Sequence, residues 1–470
     1  MSAILERMAG IVGAKNVVTD VDAMVPYLKE WRDLFRGKAQ AIVRPGSTAE
    51  VAELVKLAAQ TGTTLVPQGG NTGLVGGQIP IAEGREVILS LQRLDKVRAV
   101  DTDGDTMIVE AGVTLKRAQD TAEAAGRLFP LSLASEGSCT IGGNLSTNAG
   151  GTAVLAYGNA RELCLGLEVV LPDGRIWNGL RQLRKDNTGY DLKDLFIGSE
   201  GTLGIITAAV LKLFPLPAAR ATAFLAVPEP AAALALLNDA KAGAGGTLTT
   251  FELMPRIGLE FVLRHAAGAR APLSEPSPWY VLMEVSAQSA AGLDEAVEAF
   301  LGEALEKGIV TDAALAGSLT QRADFWKLRE MMSEVQTYEG GSIKHDVSVP
   351  VHAQPEFLKR AIAVVEAMVP GCRPVPFGHL GDGNIHFNVS QPVGADKAAY
   401  LAGWSEMNEA VHAIVTELHG SISAEHGIGR LKRDLLPGVK DPVELDLMRA
   451  IKQTLDPKGV LNPGAMLPSK

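Results

Sequence analysis

Apolar and polar positions change period along the chain, and the changes mark its elements. Ala41-Ile42-Val43-Arg44 is an apolar run stopped by Pro45, and Ser47 with Glu50 forms a capping box that opens a helix. Val51, Leu54, Val55 and Ala58 share one face of that helix, Gly62 ends it, and Thr63-Thr64-Leu65-Val66 reads as a β-branched strand. Between about residues 87 and 115 short apolar strands alternate with turns such as Asp103-Gly104-Asp105, and a helix follows over 114–125. Strands at 167–171 and 175–178 flank the turn Pro172-Asp173-Gly174.

Pro215-Leu216-Pro217-Ala218 marks a boundary. Beyond it the pattern predicts strands at 221–227, 247–253, 279–287 and 342–349, with helices at 229–241, 291–307, 353–368 and about 395–419. Such segregated pairing favours an antiparallel sheet with helices on one face, so the fold class is α+β. The chain divides into 1–217, 218–425 and a C-terminal segment, 426–470. It shows no repeats or low-complexity tails.

Composition narrows the function classes. Of 470 residues, 46% are hydrophobic, 5% aromatic and 21% charged, with a net charge of -10. An acidic balance and few aromatic rings argue against nucleic acid, whose binders use basic patches and stacking platforms. Cys139, Cys164 and Cys372 are far apart, which disfavours disulfides and iron–sulfur clusters and makes a reducing cytoplasmic location the default. No run approaches the roughly 20 apolar residues of a membrane span, and residues 1–7 lack a signal-peptide core. Membrane insertion is therefore not expected, while peripheral contact stays open.

Three segments are rich in small residues: 67–77, 135–151 and 198–204. Their Gly, Ser, Thr and Asn residues supply bare amides and short hydroxyls that can wrap a pyrophosphate, although glycine in any single cluster equally serves turns. Neither GxGxxG nor GxxxxGK[ST] occurs, which disfavours a nicotinamide Rossmann enzyme or an ATPase. Seven of the eight histidines lie between 345 and 426. His379 and His386 flank a Gly-Asp-Gly turn and can converge on one ion, with Glu425 as third ligand, or can be two hydrogen-bonded imidazoles of a hairpin. His412 and His419 read as solvated or capping residues of the last long helix, His345 and His352 as strand-edge or turn residues, and His265 is assigned no role.

Pro67-Gln68-Gly69-Gly70 through Gly77, Ile141-Gly142-Gly143-Asn144 through Gly151, and Lys185-Asp186-Asn187-Thr188-Gly189-Tyr190-Asp191-Leu192 together resemble the vanillyl-alcohol-oxidase type of FAD-binding domain. His379 to His386, Glu425-His426 and Leu461-Asn462-Pro463-Gly464 resemble its D-2-hydroxyacid dehydrogenase branch, so the resemblance spans nearly the whole chain. It implies a PCMH-type FAD-binding domain of two α+β subdomains over 1–217, a substrate or cap domain with a metal site over 218–425, and a C-terminal segment returning to the flavin.

The resemblance further implies that FAD is surrounded by Pro67, Gly69, Gly70, Asn71, Thr72, Gly73, Leu74 and Gly77, and by Gly137, Ser138, Thr140, Gly142, Gly143, Asn144, Thr147, Asn148, Gly150 and Gly151. Glu200, Gly201 and Ile205 would lie near the adenine side and Asn462 at the flavin ring. The first 264 residues contain no histidine, so FAD should be noncovalent. His379, His386 and Glu425 would bind a divalent metal, zinc first, and His426 would be the general base.

Arg329, Ser333 and Lys344 match positions that contact substrate carboxylates, with Asn388 beside His386 on one strand face. Arg329 and Ser333 stand at an i,i+4 step of one helix, where Arg329 could equally pair with Glu330 or Glu334 in solvent. The expected reaction is oxidation of a D-2-hydroxy acid to the 2-oxo acid by hydride transfer to FAD. D-2-hydroxyglutarate or D-malate is favoured, and the alternative is a D-lactate dehydrogenase or glycolate oxidase flavin subunit acting on a monocarboxylate. Ser333 stands where members specific for 2-hydroxyglutarate often carry threonine. Electrons would leave to an electron-transfer flavoprotein or a quinone, and a homodimer is compatible with the family. A metal hydrolase with purely structural glycine loops would be colourless, and a noncatalytic flavin-binding subunit would be yellow but would not bleach with any hydroxy acid.

Overall fold

The computed structural model describes residues 2–81 and 83–468; the domain limits at residues 1 and 470 lie outside them. The chain forms two compact units. The first comprises 1–151, 158–216 and 425–470, and the second comprises 152–157 and 217–424.

The first unit contains two main sheets. In one, Ala41–Val43, Val87–Ser90 and Leu65–Gln68 run parallel, with Val17–Val18 antiparallel at the edge. Helix Thr48–Thr61 makes the crossover. Ser47 caps it by accepting from Glu50 N–H, Glu50 accepts from Gly46 N–H, and Gly62 leaves in the left-handed conformation at φ 72°. Val51, Leu54, Val55 and Ala58 are fully buried against the strands and helix Ala3–Val12. The second sheet is antiparallel, in the order Val97–Asp101, Thr106–Glu110, Ile205–Lys212, Cys164–Val170, Ile176–Gly179. The C-terminal segment adds to the first sheet: Leu65 N–H donates to Val460 O at 2.8 Å and Asn462 N–H to Leu65 O at 2.8 Å.

The second unit is built on a seven-stranded antiparallel sheet, in the order Asp312–Leu315, Ala219–Val227, Trp279–Ala287, Thr247–Pro255, Arg373–His379, Asn384–Ser390, Ser342–Ser348. Phe224, Met254, Tyr280, Leu282, Val375 and Phe377 pack with Leu259, Val262, Phe325 and Leu328 of helices Arg256–His265 and Leu319–Glu330. The alternate residues Leu225, Leu253 and Val281 are fully buried too, which explains why these strands read as continuous apolar runs. Two carboxylates, Glu252 and Glu284, are buried within those runs.

Several expectations change here. The helix expected over 395–419 is two helices, Lys397–Ala402 and Trp404–Glu417, separated by Gly403. His412 is buried, not solvated, and His419 follows the helix at φ 57°. Helix Leu319–Glu330 stops before Ser333, which lies in a separate turn of helix, Met332–Val335, so Arg329 and Ser333 do not share one helical face. Among the described residues, no helix is long and apolar enough to cross a membrane.

Candidate functional site

In the first unit the glycine-rich segments pack closely against one another and their neighbours, at Gly70 backbone to backbone. A Cβ on Gly70 would lie 1.9 Å from Ser138 O, one on Gly69 2.3 Å from Thr140 Oγ1, and one on Gly142 2.6 Å from the Ala111 Cβ. Gly201, at φ 68°, would meet Pro67 Cγ at 2.4 Å. Only glycine permits these approaches, and the result is a cradle of bare main chain. Thr140 caps helix Ile141–Thr147, which carries Gly142, Gly143, Asn144 and Thr147 and ends at Asn148 with φ 52°. Thr72, Gly73 and Leu74 lie in the turn after Gly70, closed by Gln78 Nε2 donating to Gly73 O at 2.7 Å. Ile205 opens its strand and is buried, whereas Gly137 is exposed.

Two asparagines hold the cradle. Asn71 Nδ2 donates to the carbonyls of Pro26 and Lys29, both at 2.9 Å, and Asn462 Nδ2 donates to Gly77 O at 2.9 Å and Glu200 O at 2.8 Å. The opposite atoms, Asn71 Oδ1 and Asn462 Oδ1, are buried without a protein partner, as is Asn144 Nδ2. Buried polar atoms ordinarily find a partner, so this set fits a polar cofactor laid along the loops.

Glu200 stands at φ 50°, and its two carboxylate oxygens accept the amides of Ile428 and Gly429 at 2.7 and 2.8 Å. Burial pushes its carboxyl up to about 7 against the pull of those amides. Its carboxylate thus fastens the segment that follows His426. Gly151 N–H donates to Glu425 Oε1 at 2.5 Å.

In the second unit, the hairpin Arg373–His379 to Asn384–Ser390 carries both histidines. The turn is fixed by Asp382 and Gly383 amides donating to His379 O and by Asp382 Oδ1 accepting Asn384 N–H at 3.1 Å. The rings of His379 and His386 lie 5.5 Å apart, edge to face, with ring nitrogens within 4.8 Å of each other. His379 Nδ1 is 2.6 Å from Glu252 Oε1, and Arg329 Nε donates to Glu252 Oε2 at 2.6 Å. Burial works against the Glu252 carboxylate, but His379 and Arg329 hold it well below the usual range. Asp346 faces His386 across the strand pair at 3.8 Å and accepts from Asn384 Nδ2 at 3.0 Å.

Arg329 is therefore buried and paired with Glu252, not with Glu330 or Glu334 in solvent. Asn388 is buried opposite half-buried Lys344 in strand register, and Lys344 Nζ donates to the carbonyl of exposed Ser333 at 3.2 Å. Glu252 and Asp346 were missed in the sequence. The only signal for Glu252 was a carboxylate inside an apolar strand, and for Asp346 its place beside His345.

A model of FAD-binding domains matches residues 39–179, and a model of the C-terminal domain of FAD-linked oxidases matches residues 216–466. The chain belongs to the FAD-linked oxidase family. It is 37% identical over 459 residues to the mitochondrial D-2-hydroxyglutarate dehydrogenase of Arabidopsis thaliana, covering 97% of this chain and 80% of that one. It is 37% identical over 455 residues to the D-2-hydroxyglutarate dehydrogenase of Xanthomonas citri pv. viticola, covering 97% and 95%. The 4-ethylphenol oxidase of Gulosibacter chungangensis has the same fold, with a TM-score of 0.76 at 18% identity over 99% of this chain and 98% of that one.

The PCMH-type architecture, an FAD-binding domain with a separate antiparallel-sheet cap domain, is thus established. This FAD-linked oxidase is an FAD-dependent oxidoreductase that acts on a D-2-hydroxy acid. The expected cytoplasmic location is corrected: the plant and vertebrate relatives are named as mitochondrial. Few and widely spaced cysteines do not single out the cytosol.

Proposed function

We propose that the enzyme oxidises a D-2-hydroxy dicarboxylate, D-2-hydroxyglutarate before D-malate, to the 2-oxo acid, using noncovalent FAD and a divalent metal, zinc first. The observation that carries the reading is Glu252 holding both an imidazole and a guanidinium in the unit whose hairpin bears the paired histidines. Two histidines and a carboxylate form an open-site donor set, and His379, with Nδ1 turned to Glu252, would offer Nε2 to a metal. His379, His386 and Glu425 are assigned as ligands. When bound, FAD supplies the hydride acceptor and the metal supplies positive charge for the substrate's oxygens.

The chain's own groups do the rest. His426 takes the proton of the 2-hydroxyl, its imidazole being suited to transfer near neutral pH. Arg329 binds a substrate carboxylate through its terminal nitrogens, Lys344 binds the distal carboxylate of a dicarboxylic acid, and Asn388 hydrogen-bonds the substrate beside His386. Electrons then leave the reduced protein to an electron-transfer flavoprotein or a quinone.

The test is anaerobic bleaching of the yellow protein with a panel of D and L hydroxy acids, before and after chelation. D-2-hydroxyglutarate should bleach it fastest, and chelation should stop the bleaching. Preference for D-lactate would overturn the dicarboxylate assignment, and bleaching indifferent to chelation would overturn the metal role. His386→Ala should lose metal and turnover yet stay yellow, because the FAD loops belong to the other unit. A colourless variant would contradict that division.

A further inference from the structure

Glu252 lies at the centre of strand Thr247–Pro255, with no exposed surface, and each of its oxygens has a different cationic or polar partner. We propose that Glu252 is a positioning residue that sets two subsites at once, fixing the tautomer and ring plane of His379 and the aim of the Arg329 guanidinium. The inference deepens the function proposed above and rests on the metal and substrate roles given there.

Glu252 and His379 are direct partners across two antiparallel strands, so the imidazole cannot turn without breaking a pair that the sheet register imposes. A carboxylate only accepts, so the proton of a neutral His379 resides on Nδ1 and the lone pair on Nε2. Arg329 reaches Oε2 through Nε, with its guanidinium 4.8 Å above the ring of Phe377. Phe377 in turn lies 5.3 Å from the ring of His386. Both histidines and the guanidinium are thus tied into one closed set of contacts, in which Glu252 touches two of them directly.

Burying a carboxylate costs several kcal/mol unless its partners are well placed. A purely structural strand position would be filled more stably by an apolar residue. Another buried carboxylate of the sheet, Glu284, pairs with Arg322, Trp326 and Thr222. It serves as the internal comparison.

Glu252→Gln keeps the shape but offers an NH2 group to one of two donors. His379 can answer by moving its proton to Nε2, which removes the ligating lone pair. The test is metal affinity of the FAD-loaded protein by chelator competition, with zinc as the probe, alongside KM and kcat at saturating zinc. Glu252→Gln should weaken zinc about 10–100-fold, the usual effect of losing such a partner, and should raise KM for D-2-hydroxyglutarate. Glu252→Asp, which keeps two acceptors, should recover part of both, while Glu284→Gln should lower stability and leave zinc affinity at the wild-type value.

Wild-type zinc affinity in Glu252→Gln, in a protein whose His386→Ala variant loses zinc, would overturn this inference alone. Zinc affinity equal in wild type and His386→Ala would overturn the metal reading with it. An unchanged KM at saturating zinc would remove the Arg329 half. Should Glu252→Gln fail to hold FAD, Glu252→Asp decides between the same outcomes.

Discussion

Gly70→Ala should separate the cradle from the cofactor while leaving the rest of the fold recognisable. The added Cβ would sit 1.9 Å from Ser138 O, 2.9 Å from Ser138 C and 3.1 Å from Cys139 Cα. All three atoms are backbone, so no flexible side chain can swing aside. Bringing the closest contact to 3.0 Å, a limit that real Cβ atoms essentially never cross, requires the two loops to part by roughly 1.1 Å. Overpacking typically costs about 1–3 kcal/mol, and a backbone-to-backbone clash belongs at the upper end. About 3 kcal/mol corresponds to a fall in Tm of roughly 6–12 °C for a unit of this size, or to an FAD Kd raised about 100-fold if the cost is borne by the bound geometry.

Gly137→Ala provides the stability control within the partner loop, since no protein atom lies within 4 Å of its Cβ, and the Tm of its apoprotein should be unchanged or slightly raised. Thermal unfolding of the apoprotein and titration with FAD measure both quantities. A Gly70→Ala protein with wild-type Tm and Kd, or a Gly137→Ala protein equally damaged, would refute the backbone-cradle argument.

Two further perturbations test other links. Burial works against ionisation of Glu339, but His265, Arg373 and Arg264 hold its carboxyl at about 2. Its folded value lies below the usual glutamate value of 4.5, so the stabilisation is full above that pH and is lost as pH falls toward 2. Allowing for solvent screening at half-exposed Arg264, Glu339→Gln should lower stability at pH 7 by about 2 kcal/mol and flatten its decline between roughly pH 5 and 3; urea unfolding that shows the wild-type decline in the variant would sink this assignment. Lys344→Ala should raise KM for D-2-hydroxyglutarate by about tenfold or more and leave KM for D-lactate little changed, because the shorter acid lacks the distal carboxylate. Equal effects in steady-state assays with both acids would count against the anchor.

Elements with a clean period were legible. The strand and helix at 41–62 are set by Pro45, the Ser47/Glu50 cap and Gly62, all local signals. The hairpin strand Arg373–His379 is harder to read, because Pro374 and Pro376 are poor sheet residues. They are tolerated because, among the described residues, Thr247–Pro255 pairs with this strand only at Gly378 and His379, so no strand is paired on that side at Pro374 and Pro376 to require their missing N–H groups. The break at Gly403 and the burial of His412 escaped notice for a related reason. A polar residue on a helix looks solvated until tertiary packing covers it, as the burial of Asn408 and His412 beside the apolar Met407 and Val411 shows.

The glycine loops and the histidine hairpin were visible because their chemistry is concentrated in short segments. Glu252 was not, although its strand carried half of the necessary information: a carboxylate flanked by Phe251 and Leu253 must find a strong partner once buried. What the strand could not specify was which partner, since His379 and Arg329 are 127 and 77 residues away and arrive through sheet register and helix packing. A similar limit applies to Glu200, whose carboxylate closes on amides 228 and 229 residues later. The motifs identify donors that could meet a cofactor or metal, whereas the residues that orient those donors are specified by long-range pairing and become evident only in the folded chain.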